Sequence, residues 1–235
     1  MLSIITINYN NRDGLRSTLR SIKDQQLQAI DLIVIDGGSD DGSQNVISEF
    51  SDLITFSVSE KDKGIYDAMN KGIRKAKGNF LLFLNSGDLF AYPDSLKNAY
   101  KYLLKKTVYN FRYFVLGFDS CWLSDIKYKT KCHQAIIFPN ENFFFYSTNK
   151  GIHADAEYIE DNINCYGLVN VPLVLSKFFL GGRSNDYTLD NYYRNFNYLN
   201  TLNKITGFVK LTIVFFIGNK NFRLIVYRIK GFKKV

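Results

Sequence analysis

Val34-Ile35-Asp36-Gly37-Gly38-Ser39-Asp40-Asp41-Gly42-Ser43 reads as a buried strand that ends on an acid, followed by a glycine-rich acidic turn that opens a helix. The apolar run begins at Asp31-Leu32-Ile33, and its continuity is what a parallel strand covered on both faces requires. Ser43 is of the type that caps a helix N-terminus, so a helix is predicted to start there. Outward from this stretch, Ile4 to Ile7 forms a shorter strand ending at Asn8-Tyr9-Asn10-Asn11, and Leu15, Leu19 and Ile22 follow at helical spacing. Residues 54–58 read as a third strand and 65–76 as a helix. Phe80-Leu81-Leu82-Phe83-Leu84 reads as a fourth buried strand, ending in Asn85-Ser86-Gly87-Asp88.

Strand and helix thus alternate over the first hundred residues, which predicts an α/β chain with a doubly wound, mostly parallel sheet flanked by helices. In such a sheet ligands gather at the carboxyl ends of the strands, where each polar cluster just quoted lies. Beyond residue 100 the pattern is less regular. A helix is expected near 94–105, strands around 108–118, 134–138 and 171–179, and a helix around 155–166. One domain is expected over residues 1–200, its ligand-binding half about 1–100 and a second half about 101–200, followed by a tail at 201–235.

Charge is distributed unevenly. Residues 1–200 hold 22 Lys and Arg against 22 Asp and Glu, whereas 201–235 hold eight Lys and Arg and no acid. A nucleic-acid-binding domain would spread its basic residues over the body, so nucleic acid is not an expected partner. A basic, apolar C-terminus, read as a short helical appendage, suits contact with an anionic membrane surface, with packing on the main domain as the alternative. Its longest uncharged stretch, Leu211 to Asn219, is too short to span a bilayer as a helix. Cys121, Cys132 and Cys165 are odd in number and lack CxxC spacing, which argues against a disulfide framework or a zinc site. Met1-Leu2-Ser3-Ile4-Ile5 reads as a strand rather than a secretory leader, so the expected location is cytoplasmic, peripheral on the inner face of the membrane.

The loops have chemistry of their own. Asp36, at a strand end, can accept a hydrogen bond from a base or ribose while the glycines let the backbone approach a ligand; the same residues can equally form an acidic turn that caps a helix. Its cluster of aspartates repels a bare pyrophosphate, so a phosphate ligand there needs a metal. Asp88 is suited to a hard divalent cation bridging two phosphates, a solvated turn being the alternative. Asp67 shares a helix face with Asn70 and Lys71, three and four residues on, and Lys71 reads as an ordinary surface ion-pair partner.

Taken together, Ser3-Ile4-Ile5-Thr6-Ile7-Asn8-Tyr9-Asn10, Val34 to Ser43, Lys61-Asp62-Lys63-Gly64-Ile65-Tyr66-Asp67-Ala68-Met69-Asn70-Lys71-Gly72 and Phe83-Leu84-Asn85-Ser86-Gly87-Asp88 resemble the family 2 glycosyltransferases of GT-A fold. Among its members the chain most resembles the bacterial ones that build colanic acid, capsule and O-antigen chains. The resemblance implies that Thr6, Tyr9 and Asn10 line the nucleotide pocket, that Asp36 reads uracil or an equivalent base, and that Asp67, Asn70, Ser86 and Gly87 lie along the donor. Asp88 is then the metal-binding end of an acidic motif that takes Mn²⁺ or Mg²⁺. Asn85 departs from the pattern, since the family commonly has an acid there.

In the second half, Cys132-His133-Gln134-Ala135-Ile136-Ile137-Phe138 resembles the His-Gln segment of this subgroup, which implies His133 near the diphosphate or acceptor; a structural histidine is the alternative. Ile152-His153-Ala154-Asp155-Ala156-Glu157-Tyr158 resembles the segment with the catalytic carboxylate, Asp155 as base and Glu157 as second choice. Gly181-Gly182-Arg183-Ser184 resembles the glycine-rich turn downstream. The implied activity is inverting transfer from a nucleoside-diphosphate sugar, expected to be a UDP-sugar, to a glycan or lipid-linked acceptor in cell-surface polysaccharide biosynthesis. Two other readings are a non-catalytic GT-A-like subunit, which Asn85 favours, and a nucleotide-sugar pyrophosphorylase, against which stands the chain's lack of the basic glycine-rich N-terminal loop such chemistry would use.

Overall fold

The structure is a computed structural model, and it describes residues 1–27, 30–117, 120–124, 131–141, 144–149, 154–179 and 233–235. In chain order the elements are β1 (Leu2–Asn8), α1 (Arg12–Lys23), β2 (Ile30–Asp36), α2 (Ser43–Glu49), β3 (Phe56–Ser59), α3 (Ile65–Lys75) and β4 (Phe80–Phe83). There follow β5 (Leu89–Phe90), α4 (Ser95–Tyr100), β6 (Val108–Gly117), β7 (Ser120–Leu123), a 3-10 turn at His133–Ala135, β8 (Ile136–Pro139), α5 (Ala154–Tyr166), β9 (Leu168–Phe179) and β10 (Lys233–Lys234). They form one sheet in the order β10-β7-β6-β8-β4-β1-β2-β3, with β9 beside β6 and β5.

The sheet is mixed. β3, β2, β1 and β4 are parallel, as the alternation predicts. β8 then runs antiparallel to β4 and β6, and β7 antiparallel to β6; only β9 returns to parallel, alongside β6. The expected mostly parallel character therefore holds for the first half alone. Helical crossovers enforce parallel pairing there, whereas β6 and β7 are joined by a short connection that permits only antiparallel pairing.

Strand β1 shows how the sheet is held. Leu2 and Ile4 pack with Leu15, Leu19 and Ile22 of α1 on one face, and Ile5 and Ile7 pack with Met69 and Ile73 of α3 on the other. A helix covers each side, so every β1 residue is buried, the polar Ser3, Thr6 and Asn8 included. Gly72 lies against Ile5, where an added Cβ would collide with the Ile5 side chain, and this lets α3 approach the sheet closely.

Some boundaries differ from expectation. β3 starts at Phe56 because Ile54 still belongs to the turn that closes α2, its amide donating to the Phe50 carbonyl at 3.1 Å. α4 ends at Tyr100, short of 105, and turns follow through the exposed Leu104. The cap of α2 is also corrected. Gly42 occupies the N-cap with φ 88, and Asp41 Oδ1 accepts from both the amide and the hydroxyl of Ser43 at 3.0 and 2.6 Å. Ser43 is the first residue held, not the cap.

Most of the expected helical tail, and the Gly181-Gly182-Arg183-Ser184 turn, lie outside the described residues. The described end of the tail is the short strand β10, which pairs antiparallel with β7. No helix among the described residues is long and apolar enough to cross a membrane.

Candidate active site

The loops after β1, β2 and β4 meet at the carboxyl end of the parallel half. Asn10 joins the first two: its amide donates to Ser39 Oγ at 2.8 Å and its Oδ1 accepts from the Asp40 amide at 3.0 Å. It does so in the left-handed region, φ 47, which asparagine tolerates better than most side chains. The Arg12 amide donates to Asp41 Oδ2 at 2.7 Å. Asn11 Nδ2 donates to the Ser86 carbonyl at 3.1 Å, and Ser86 Oγ returns a bond to the Asn11 carbonyl at 3.2 Å, so the β4 turn is tied in as well. Gly87 has φ 98, a conformation that costs an L side chain strain, and its amide donates to Thr18 Oγ1 at 2.9 Å.

Asp36 organises this rim from inside. Its side chain is fully buried and accepts from Asn8 Nδ2 at 2.7 Å, from the Ser39 hydroxyl at 2.6 Å and amide at 2.9 Å, and from Ser59 Oγ at 2.6 Å. Burial pushes its pKa up, but the bonds from Ser39, Ser59 and Asn8 win and hold it below the usual range. A base reaching Asp36 would have to displace one of these donors. Thr6 is likewise fully buried beneath the rim, its hydroxyl without a partner among the described residues.

The large apolar side chain exposed on the rim is Tyr9, with 59% of its area open. Its ring flanks Gly37: a Cβ built there would stand 3.2 Å from the Tyr9 ring and 2.6 Å from Asp62 Oδ2. The missing side chain lets the Tyr9 ring and the Asp62 carboxylate pack directly over the buried Gly37 backbone.

Two residues expected along the donor serve the scaffold. Asn70 clamps the backbone of Tyr146, donating to its carbonyl at 2.9 Å and accepting from its amide at 2.8 Å, so both ends of the amide are taken up inside the protein. Asp67 accepts from the Lys63 amide at 3.0 Å and lies 3.7 Å from Lys71 Nζ, which closes the loop before α3. Lys71 also meets Glu60 at 2.7 Å, the surface ion pair read from the sequence.

At the far side of the β4 turn a second group of polar side chains converges. Asp88 is 8% exposed, and burial pushes its pKa up to about 6 against the bond that Gln134 Nε2 donates to Oδ2 at 3.1 Å. Asn85 Nδ2 lies 3.2 Å from His133 Nε2, and His133 Nδ1 lies 3.7 Å from Asp155 Oδ2. Asp155 Oδ1 accepts from the Ala156 amide at 3.0 Å. Burial raises the pKa of Asp155, but His133 and the local amides outweigh it and leave it low, an ionised carboxylate at neutral pH. The Tyr66 phenol faces the same carboxylate; burial first, and the Asp155 charge second, push its pKa up. Glu157 is two residues further along α5, about 200° round the helix from Asp155, and so projects from a different side.

Beneath this group runs a stack of tyrosines. Tyr66 and Tyr146 stack at 5.4 Å between centroids and Tyr146 and Tyr158 at 4.1 Å, with Phe83 edge-on to Tyr146 at 5.3 Å. The column fixes α5, and with it Asp155, against α3 and the sheet. Sequence reading missed Tyr66 and Tyr146 as supports. The available signal was the position of Tyr66 inside the Gly64 to Gly72 motif; nothing local marks Tyr146.

A divalent cation fits here in part. Among the described residues no group of three or more His, Cys, Asp and Glu side chains is placed to hold a metal. Asp88 nevertheless presents a buried carboxylate whose charge lacks a cation, and Asn85 Oδ1 is buried without a partner. Two hard oxygen donors suit an ion that takes its remaining ligands from substrate phosphates and water.

The sequence profile described as Glycosyl transferase family 2 matches residues 3–158. An uncharacterized glycosyltransferase of Mycobacterium tuberculosis is 42% identical over 106 residues, 45% of this chain and 40% of the relative. TuaG of Bacillus subtilis, named for teichuronic acid biosynthesis, is 27% identical over 110 residues, 46% of this chain and 43% of its own. The chain therefore matches less than half the length of these relatives. Among solved structures, a mannosyltransferase from Pyrobaculum calidifontis, in complex with GDP-Man and Mn²⁺, superposes with a TM-score of 0.60 at 16% identity, over 77% of this chain and 57% of that one. That likeness is one of fold, the GT-A arrangement of a parallel nucleotide-side sheet continued by antiparallel strands. With two thirds of its length matched by the family profile and its motifs gathered at one end of that sheet, this chain belongs to glycosyl transferase family 2.

Proposed function

We propose that the protein is an inverting glycosyltransferase that moves a sugar from a nucleoside-diphosphate sugar, UDP-linked in the first instance, to a hydroxyl of a glycan or lipid-linked glycan in cell-surface polysaccharide assembly. One observation carries the reading: His133-Gln134 holds two carboxylates with opposite electrostatics, Asp88 with its pKa raised and Asp155 with its pKa lowered. Paired carboxylates whose environments push them apart divide the work of transfer between them. The names of TuaG and of the mannosyltransferase complex support the polysaccharide class and the use of a sugar nucleotide with a divalent ion.

In this reading the exposed ring of Tyr9 receives the base, and Asn10 and the Ser86-Gly87 turn shape the path of the diphosphate. Asp88 is the residue that holds Mn²⁺ or Mg²⁺, and the bound ion supplies charge neutralisation to the leaving diphosphate. Asp155 takes the proton of the acceptor hydroxyl on its carboxylate. The freed oxygen pair attacks the anomeric carbon from the face opposite the diphosphate, the bond to the diphosphate oxygen breaks with its electron pair, and configuration inverts. The positive charge that develops at the ring requires Asp155 on the acceptor side. The basic tail at 201–235 supports a cytoplasmic protein peripheral on an anionic membrane, near a lipid-linked acceptor.

The test is a panel of UDP-, GDP- and dTDP-sugars, measured for binding and slow hydrolysis with Mn²⁺, with Mg²⁺ and with EDTA, on wild type and Asp155→Ala. Metal-dependent binding of one donor by both proteins, with turnover in wild type reduced at least ~100-fold in the variant, supports the reading. Absence of binding to every donor would sink it in favour of a non-catalytic subunit, and full turnover by Asp155→Ala would remove Asp155 as base.

A further inference from the structure

We propose that Asp62, in place of Asp36, is the carboxylate that reads the nucleotide base, its Oδ2 accepting the ring N3–H of a uracil or thymine stacked on Tyr9. The inference rests on the reading of the rim as a sugar-nucleotide site, and it names the base edge selected and the atom that selects it.

Asp36 has no capacity left for a ligand. It is fully buried, Oδ1 accepts from Asn8 Nδ2 at 2.7 Å and Ser39 Oγ at 2.6 Å, and Oδ2 accepts from the Ser39 amide at 2.9 Å and Ser59 Oγ at 2.6 Å. An ionised carboxyl group offers about four lone-pair sites, and the protein fills them all.

The acid that does reach the rim comes from the following loop. The Glu60 amide donates to the Asp36 carbonyl at 3.0 Å, which holds the chain beside the end of β2, and two residues later the Asp62 carboxylate lies over Gly37. The point where a Gly37 Cβ would stand is 2.6 Å from Asp62 Oδ2 and 3.2 Å from the Tyr9 ring, so oxygen and ring flank one place. Asp62 is partly buried, and its Oδ1 accepts from the Gly64 amide at 2.9 Å. Oδ2 has no hydrogen-bond partner, and the carboxylate no ion pair, among the described residues. The backbone on either side is fixed: the Lys61 carbonyl accepts from Lys71 Nζ at 3.3 Å, and the Lys63 amide donates to Asp67 Oδ2 at 3.0 Å. The polar groups around the start of α3 thus hold one free carboxylate oxygen beside an exposed aromatic ring.

A charged oxygen that can only accept sorts bases by their edges. Uracil and thymine present a single N–H at N3, between two carbonyls. Cytosine presents a lone pair at N3, which faces the carboxylate acceptor to acceptor. Guanine presents two adjacent N–H groups that match both oxygens of a carboxylate, and here the Gly64 amide occupies Oδ1. Stacking on Tyr9 tolerates any base, so the choice falls to the edge that meets Asp62. A site built to bond an N–H rejects analogues that lack it. Glycine at 37 belongs to the same device, because a side chain there would displace Asp62 Oδ2.

The test is calorimetric titration of the 235-residue chain in Mn²⁺ with UDP, N3-methyl-UDP, CDP, GDP and 2′-deoxy-UDP. Wild type should bind UDP at least ~10-fold more tightly than N3-methyl-UDP or CDP, the scale of one hydrogen bond to a charged group. Asp62→Ala should weaken UDP by that factor and bind UDP and N3-methyl-UDP alike. In Asp62→Asn the Gly64 amide still engages Oδ1, which turns Nδ2 toward the base; UDP should weaken, and CDP, whose N3 accepts, should bind at least as tightly as UDP. The ratio of UDP to 2′-deoxy-UDP should stay the same in all three proteins. A loosened loop would lower every nucleotide together and leave the ratios untouched, so weaker binding with unchanged discrimination against N3-methyl-UDP overturns the inference. A ratio that moves for 2′-deoxy-UDP and not for N3-methyl-UDP assigns Asp62 to the ribose and overturns it as well, as does a wild type that prefers GDP. Binding of none of these nucleotides by wild type would instead remove the sugar-nucleotide reading on which the inference stands.

Discussion

Asp88 combines burial with a charge that Gln134 and His133 only partly offset. Its folded pKa, pushed up to about 6 by burial, lies above the 3.8 of the free side chain. The native state therefore binds an extra proton between those values, and the stability contributed at this residue is highest below the lower value and is lost as pH rises through the upper one. At pH 7.5 without metal the ionised carboxylate costs stability on the order of 3 kcal/mol. Asp88→Asn should melt several degrees higher than wild type at pH 7.5 in EDTA, and the difference should close at pH 3.5. The same variant should lose its response to Mn²⁺. Equal melting temperatures at pH 7.5 would mean that the buried charge is satisfied without a cation. Asp155 shows the opposite sign, since His133 and the amides around it outweigh its burial. The two acids differ in what donates to them, and that difference lies outside their own sequence positions.

At the level of elements, β4 is the strand on which most depends. It joins the parallel half to β8, and its turn presents Asn85, Ser86, Gly87 and Asp88. Phe83 is fully buried and meets Phe138, Tyr146 and Tyr158 edge-on. Phe83→Ala should destabilise the fold by about 3–5 kcal/mol and loosen the tyrosine column that sets Asp155. Chemical denaturation measures the first effect. The second should appear as a kcat loss at temperatures where the variant is still folded, with donor affinity nearly unchanged. A stable, fully active variant would show that α5 is held by something other than this column. The α2 start is a smaller test: Asp41→Ala removes acceptors for Ser43 and for the Arg12 amide, and should cost about 1 kcal/mol.

Over the whole molecule, the core domain is charge-balanced and the tail carries the entire excess. Membrane attachment of the tail is an electrostatic proposal, and it predicts a strong salt response. The 235-residue chain should sediment with vesicles rich in phosphatidylglycerol at low salt, and should be largely released at several hundred millimolar NaCl, where screening shortens the range of the field to a few ångströms. Replacing Lys204, Lys210, Lys220 and Lys230 by Gln should release it at low salt. Vesicle binding that survives these changes would point to apolar insertion alone, and no binding to anionic vesicles would return the tail to a packing role. These substitutions spare Lys233 and Lys234, whose backbone pairs with β7.

The sequence by itself determined the parallel half and the location of the site. Continuous apolar runs at Ile4 to Ile7, Leu32 to Ile35 and Phe80 to Leu84, each ending in a polar turn, have few other uses than buried parallel strands with ligands at their carboxyl ends. Four ordered motifs carry the family resemblance in the sequence alone. The tertiary structure decided what each polar residue does. Asp36, Asn70 and Asp67 look as ligand-like in sequence as Asp88 and Asp155, yet the fold engages the first with four internal donors, spends the second on the Tyr146 backbone and uses the third to close a loop. The antiparallel second half was only partly legible, because β5, β7 and β10 are too short to show a period. Asn85 was visible as a departure, but its bond to His133 joins residues far apart in the chain. Hydrogen-bond partners, burial and the resulting acidities are properties of neighbours in space, and local sequence does not encode who those neighbours are.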